Sequence, residues 1–118
     1  MHIRFKIGQL VKSRRLGVRG VIIEYDYTYY RSESAYQLLA NQSSIKNKPW
    51  YLLLMNDSNC TIYMPEDELL PDLSGREIDN PSINEHFEIF ANGMYYKNKD
   101  DVKPLESVKD KFFIRRVK

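Results

Sequence analysis

The segment PWYLLLMND at residues 49–57 constrains the fold most, because it is a continuous apolar run of strand length. Pro49 opens the run, and an Asn-Asp-Ser turn sequence follows it. The segment CTIYMPEDELL at residues 60–70 then returns with Ile62 and Met64 on one face, until a proline ends the strand. The two segments therefore predict a β-hairpin.

A further strand, outside this hairpin, is predicted from alternation near the N-terminus. Val21, Ile23, Tyr25 and Tyr27 recur at every second position, with Ile22, Glu24 and Asp26 on the opposite face. A shorter strand precedes it in GQLVKS, and Gly17 and Gly20 are expected to turn the chain between the two. We predict a mostly β protein, a small antiparallel barrel with these side chains inward: Val11, Val21, Ile23, Trp50, Leu52, Leu54 and Ile62.

The 118 residues suffice for one structural domain with its own core. We predict that residues 1–73 form the barrel and that residues 74–118 form an extension packed on it. Asn80-Pro81 is a typical helix start and Gly93 a typical stop, so a helix is expected at about 81–92. Three apolar side chains at helical spacing would face the barrel: Ile83, Phe87 and Phe90.

Charge is distributed unevenly although the net charge is only +2. Residues 1–31 carry seven Lys and Arg against two acids, residues 32–91 carry three against ten, and residues 92–118 carry eight against four. The chain is therefore basic, then acidic, then basic, which permits a local positive field on a nearly neutral protein. Packing of the basic ends against the acidic middle would cancel that field.

The sequence gives little support for catalysis, a cofactor or a metal site, and we predict a non-enzyme. His2 and His86 are the only histidines, and neither has the neighbours of a catalytic base. Cys60 is the only cysteine, and the acidic run Glu66–Glu68 lacks the ligand spacing of a calcium loop. No signal peptide or bilayer-length apolar run is visible, so no membrane partner and a cytoplasmic location are expected.

Four segments in this order resemble the HspQ/YccV-like hemimethylated-DNA-binding domain family. They are FKIGQLV at 5–11, LGVRGVI at 16–22, PWYLLLMND at 49–57 and YMPEDEL at 63–69. The later segment NPSINEHFEIFANGMYYKN resembles the region that follows this domain in some F-box proteins. The resemblance implies an SH3-like barrel fold, in agreement with the strands predicted above.

The resemblance also implies DNA, in hemimethylated form, as the partner. The cations best placed to contact phosphates are those of the predicted hairpin, Lys12, Arg14, Arg15 and Arg19, with Arg4 and Arg31 adding to the field. Recognition of one methyl group requires an apolar notch, for which Tyr27, Tyr29 and Tyr30 are the candidates. The same basic cluster also fits a solvated hairpin that contacts nothing, and the sequence leaves both interpretations open.

The alternative is a protein-interaction module in protein quality control. Members of the family are associated with proteolysis, as adaptors of a Lon-type protease, and the F-box relatives with ubiquitin ligation. The partner would then be a protease or its substrate protein, bound through the acidic middle segment and the polar residues 28–48. The resemblance also allows copies of the chain to self-associate.

Overall fold

The computed structural model describes residues 3–28, 47–102 and 114–117. Antiparallel β-strands dominate this part of the chain, which confirms the predicted mostly β class. The larger sheet has five strands in the order β4-β3-β2-β1-β5. These strands are β1 (Leu10–Ser13), β2 (Arg19–Asp26), β3 (Trp50–Met55), β4 (Thr61–Pro65) and β5 (Leu69–Pro71).

A smaller sheet follows in the sequence, with three strands in the order β7-β6-β8. Its strands are β6 (Ile89–Ala91), β7 (Met94–Tyr96) and β8 (Ile114–Arg116), and one helical turn, α1 (Ile83–His86), precedes them. Gly8 joins the two sheets, because its amide donates to Ile22 O at 2.8 Å and its carbonyl accepts from Tyr95 N at 2.9 Å. A Cβ atom at Gly8 would lie only 2.0 Å from Tyr95 O, so only glycine fits there.

The predicted hairpin at 49–70 is confirmed. Residues Trp50–Met55 form β3, which pairs with β4 from Trp50↔Pro65 to Leu54↔Thr61. Trp50 is fully buried and stacks on Tyr63 with ring centroids 5.1 Å apart. The large apolar side chains of this run thus anchor the centre of the sheet, as expected for aromatic residues in a small β-domain.

The larger sheet buries side chains on both faces, so it has two hydrophobic cores rather than one. The first core comprises Leu10, Val21, Ile23, Leu54, Ile78, Ile83, Phe87 and Tyr95. The second core comprises Phe5, Val11, Ile22, Tyr51, Leu53, Met64 and Leu69. The predicted single interior was therefore wrong: Val11 and the half-buried Ile62 lie with the second core, whereas Val21, Ile23, Leu54 and the half-buried Leu52 lie with the first.

A β-bulge in β2 explains why strict alternation failed. The register passes from Ile22↔Leu53 directly to Glu24↔Leu52, so the intervening Ile23 is the extra residue. Residues beyond the bulge change face, and Tyr25 packs against the second core instead of sharing a face with Val21. Gly20, expected in a turn, lies inside β2.

The larger sheet is not a closed barrel. In the described part of the chain, β4 and β5 are its two edge strands. The chain passes from one edge to the other through a single 3-10 turn at Glu66–Glu68, here called the acidic turn. The N-terminal segment covers the second core near this point, where the Phe5 ring meets Tyr51 edge-on at 5.5 Å.

The Tyr51 hydroxyl ties three segments together beside the acidic turn. It accepts hydrogen bonds from the backbone amides of Arg4 and Phe5, both at 3.2 Å, and donates to Glu66 Oε2 at 2.6 Å. Burial, and then the bond to the Glu66 carboxylate, raise the pKa of Tyr51 to about 12. The phenol therefore stays a hydrogen-bond donor to Glu66 well above neutral pH.

The helix predicted at 81–92 is wrong. Only Ile83–His86 is helical, and Ile89–Ala91 forms a strand that pairs with β7 as Ala91↔Met94. The cause is the Asn92-Gly93 dipeptide, whose two φ angles, 54° and 79°, form the two-residue turn that favours a hairpin. Ile83 and Phe87 are nevertheless buried, and Phe90 is half-buried.

We predict that Phe87→Ala destabilises the whole domain. Phe87 is 4% exposed in the first core and lies 5.3 Å from the Tyr95 ring, so its truncation should cost about 3–5 kcal/mol. Urea unfolding monitored by Trp50 fluorescence measures the change in the larger sheet. Leu73→Ala, at a side chain 92% exposed, is the control and should change nothing measurable. An unchanged unfolding midpoint for Phe87→Ala would mean that residues after Asp79 do not stabilise the sheet.

Candidate nucleic-acid interface

The connection between β1 and β2 presents a short loop, residues 14–17, here called the basic turn. Ser13 organises it from a buried position: its hydroxyl accepts from the amides of Leu16 and Val18, both at 3.2 Å. The Gly17 amide donates to Ser13 O at 2.9 Å and closes the loop. The side chains of residues 14–16 are consequently all exposed at one end of the sheet.

The acidic turn lies beside the basic turn, and the two are bonded together. The Arg14 amide donates to Glu68 O at 2.8 Å, and its Nε donates to Asp67 O at 2.8 Å. Arg15 forms an ion pair with the Glu68 carboxylate at 2.9 Å, which raises the pKa of the Arg15 guanidinium. Lys48 forms a further ion pair with the Asp67 carboxylate of the acidic turn. The charges of the basic turn are thus partly balanced within the protein.

These surface pairs remain available for exchange with a ligand. The Arg15 side chain is 74% exposed, and exposed ion pairs contribute little because water and salt screen them. The Lys12 side chain is also exposed on β1, and it forms neither a hydrogen bond nor an ion pair with another described residue. Lys12, Arg14 and Arg15 are therefore three exposed cations in β1 and in the basic turn that follows it.

Arg19 differs from these three cations because its side chain is buried, with only 13% exposed. Its Nε donates to Asp72 Oδ2 at 2.6 Å, and its terminal nitrogen donates to Arg76 O. Burial alone would raise the pKa of Asp72, but hydrogen bonds from the Ser74 amide and from Arg19 outweigh it and lower the pKa. Arg19 therefore holds the segment after β5 against the β1–β2 hairpin, and its guanidinium is bonded within the protein.

The remaining predicted residues do not gather around the basic turn in the described structure. Tyr27 is exposed at the far end of β2, where it meets Tyr25 edge-on at 5.8 Å. The Arg4 guanidinium lies over the Phe5 ring, 5.0 Å from its centroid. Three further candidates lie outside the described residues: Arg31, Tyr29 and Tyr30.

An apolar groove beside the basic turn was missed by the sequence analysis. It has a volume of about 210 Å³ and is lined by Ser13, Arg15, Leu16, Ile62, Met64, Pro65 and Glu68. Leu16, at the tip of the basic turn, is 70% exposed and forms one wall. The signal in the sequence was the leucine in RRLG, between two arginines and a glycine. The position of Leu16 opposite β4 depends on the curvature of the sheet, which the sequence does not reveal.

Neither a metal cluster nor a membrane-spanning helix is seen in residues 3–28, 47–102 and 114–117. No three His, Cys, Asp or Glu side chains in these ranges lie close enough to hold a metal ion. None of the helices there is long and apolar enough to cross a membrane. Cys60 is exposed after the β3–β4 turn, with its Sγ 3.5 Å from Asn59 Oδ1.

The chain also matches a known protein family. A family model described as YccV-like, "Hemimethylated DNA-binding protein YccV like", matches residues 3–94. The matched range begins with the N-terminal segment that covers the second core and ends at the first residue of β7. It includes the whole five-stranded sheet, the basic turn, the acidic turn and the groove between them.

We predict that Arg19→Ala lowers stability without any ligand being involved. The variant leaves Asp72, whose side chain is 6% exposed, without its guanidinium partner, so the free energy of unfolding should fall by about 2–4 kcal/mol. Arg15→Ala is the matched control, because its ion pair is exposed, and it should leave the free energy of unfolding nearly unchanged. Equal stabilities of the two variants would contradict a structural role for Arg19.

Asp72 should also make stability depend on pH. Because its pKa is lower in the folded protein than the ordinary value of 3.8, its contribution is present above that value and is lost as the pH falls through the folded pKa. Urea unfolding from about pH 6 to about pH 2.5 should show a smaller loss for Asp72→Asn than for the wild type. A parallel pH dependence for the two proteins would show that this carboxylate is not specially stabilised.

Proposed function

The chain belongs to the YccV-like family of hemimethylated DNA-binding proteins, and we propose that it is a non-catalytic module that binds duplex DNA through the basic turn. The family match carries this proposal. The exposed cations at one end of the sheet support it, because phosphate contacts from Lys and Arg supply most of the sequence-independent affinity for DNA. Hemimethylated duplex is the proposed preferred form.

Lys12, Arg14 and Arg15 are the proposed phosphate contacts. Arg14 and Arg15 would exchange their bonds with the acidic turn for bonds to phosphate oxygens, which is inexpensive because these bonds are exposed to water. Charge-assisted bonds from arginine to phosphate are also often bidentate. In this proposal Arg19 positions the hairpin, and Arg31 keeps the phosphate-contacting role predicted from the sequence.

The proposal includes the SH3-like barrel, predicted from the sequence for residues 1–73. The strand order and the short passage from β4 to β5 through the acidic turn support it, because both edges of the sheet then approach one another. Self-association of the chain remains a prediction from the family resemblance, and a cytoplasmic location remains a prediction from the sequence. Neither is needed for the contacts proposed here.

A protein-interaction role in protein quality control is the second candidate. The observation that favours it is the pairing of Arg15 with Glu68 and of Lys48 with Asp67, which reduces the positive field that duplex DNA would meet. An apolar groove next to a mixed-charge rim is also a plain feature of peptide-binding surfaces. A protease or its substrate protein would then be the partner, as predicted from the sequence.

The salt dependence of duplex binding tests the proposed DNA contacts. Three phosphates neutralised by Lys12, Arg14 and Arg15 give a log–log slope of about −2.7, and Arg14→Ala with Arg15→Ala should reduce it to about −0.9. Fluorescence anisotropy with a labelled duplex across a salt series measures both slopes. Circular dichroism and thermal unfolding should show the fold of the double variant unchanged, since both side chains are exposed.

The matched control removes two exposed cations elsewhere, by Lys97→Ala with Lys99→Ala. This variant loses the same charge but should keep the wild-type slope. A slope that falls equally in both double variants would mean that DNA responds to net charge, and the basic turn would then not be the contact surface. No duplex binding at low salt would contradict the DNA proposal and favour the protein-interaction role.

A further inference from the structure

A protein that recognises a methylated base needs an apolar site next to its phosphate contacts, and the apolar groove lies beside the basic turn. Resting on the proposed function, we infer that this groove holds the methyl group of a methylated base when the basic turn contacts the flanking phosphates. Its apolar walls are Leu16 from the turn and Ile62, Met64 and Pro65 from β4. Tyr27, the member of the predicted recognition set that lies within the described residues, does not line it.

The chemistry of the walls matches that ligand. The methyl group of thymine and the amino nitrogen of adenine both lie in the major groove, and proteins read a base methyl by apolar contact. Methyl groups on cytosine C5 or adenine N6 therefore present the same small apolar target to an approaching protein. The three walls from β4 are fixed by the sheet, since Met64 and Pro65 are buried and Ile62 is half-buried.

The basic turn places this target within reach. Leu16 directly follows Arg14 and Arg15, so phosphate contacts by the two arginines would bring its side chain to the adjacent base edges. An exposed leucine alone is ordinary on a protein surface. Here the leucine is one side of a groove of about 210 Å³ whose opposite side is apolar, which leaves space for a methyl group and part of a base edge.

Glu68 on the rim fits the same ligand. Its side chain is 21% exposed and lines the groove, and Arg15 is bonded to one of its carboxylate oxygens. Carboxylates accept hydrogen bonds from the amino group of cytosine in the major groove. When Arg15 turns to a phosphate, Glu68 is free to accept from the exocyclic amino group next to the methyl. This accounts for an acidic residue inside a DNA-contacting surface.

Three duplexes of one sequence test the inference: unmethylated, with one N6-methyladenine, and with one 5-methylcytosine. The wild type should bind at least one singly methylated duplex about fourfold more tightly than the unmethylated duplex, the effect of burying one methyl group. Leu16→Ser and Ile62→Thr should each bring this ratio close to one, whatever their affinity for unmethylated DNA, because each removes an apolar wall of the groove. Leu73→Ser, at a still more exposed leucine outside the groove, is the control and should keep the ratio.

The outcomes separate this inference from the proposed function. Equal binding of all three duplexes by the wild type, or a ratio that persists in both groove variants, overturns the methyl site alone. No binding of any duplex overturns the DNA proposal and the methyl site with it. A reduced and alkylated unfolded protein serves as a peptide probe. If Leu16→Ser weakens binding of this probe but keeps the ratio between methylated and unmethylated duplexes, the groove is a peptide site and the inference fails.

Discussion

Strand β2 is the element on which the rest of the structure depends, because it lies at the centre of the larger sheet and is buried on both faces. Val21 and Ile23 enter the first core and Ile22 enters the second. The bulge at Ile23 adds to the contacts on the second face, since it shifts Tyr25 onto the second core beside Tyr51. One strand thus connects the N-terminal segment and the acidic turn on one side with residues 78–95 on the other.

The position of the proposed DNA-contacting surface follows from this arrangement. The basic turn is the direct continuation of β1 into β2, and the buried Ser13 hydroxyl fixes its loop. The groove wall opposite Leu16 comes from β4, which lies two strands away from β2 in the sheet order. It approaches the basic turn because the acidic turn connects the end of β4 directly to β5 at the other edge of the sheet. The groove is therefore a product of sheet curvature, and no local segment contains it.

Features that arise within one local segment could be predicted from the sequence, whereas features that depend on distant segments could not. The apolar run of β3 and the turn after it are local signals, and they gave the correct strand and hairpin. The Asn92-Gly93 hairpin was also a local signal, but glycine after an apolar stripe fits a helix end equally well, and the helical reading was wrong. The bulge, the two cores and the burial of Arg19 depend on contacts between distant segments, and no pattern in the sequence showed them.

The partial neutralisation of the basic turn has a consequence for selectivity. A surface with many free cations would bind every duplex tightly, and one methyl group would then change little of the total affinity. In the proposed complex, Glu68 and the Asp67 carbonyl would compete with phosphates for Arg15 and Arg14 and so reduce the electrostatic contribution. This reduction would weaken binding of every duplex alike, so the ratio between methylated and unmethylated duplexes would depend on the apolar contact, worth about fourfold. The acidic turn would thus lower the total affinity without lowering the preference for a methylated duplex.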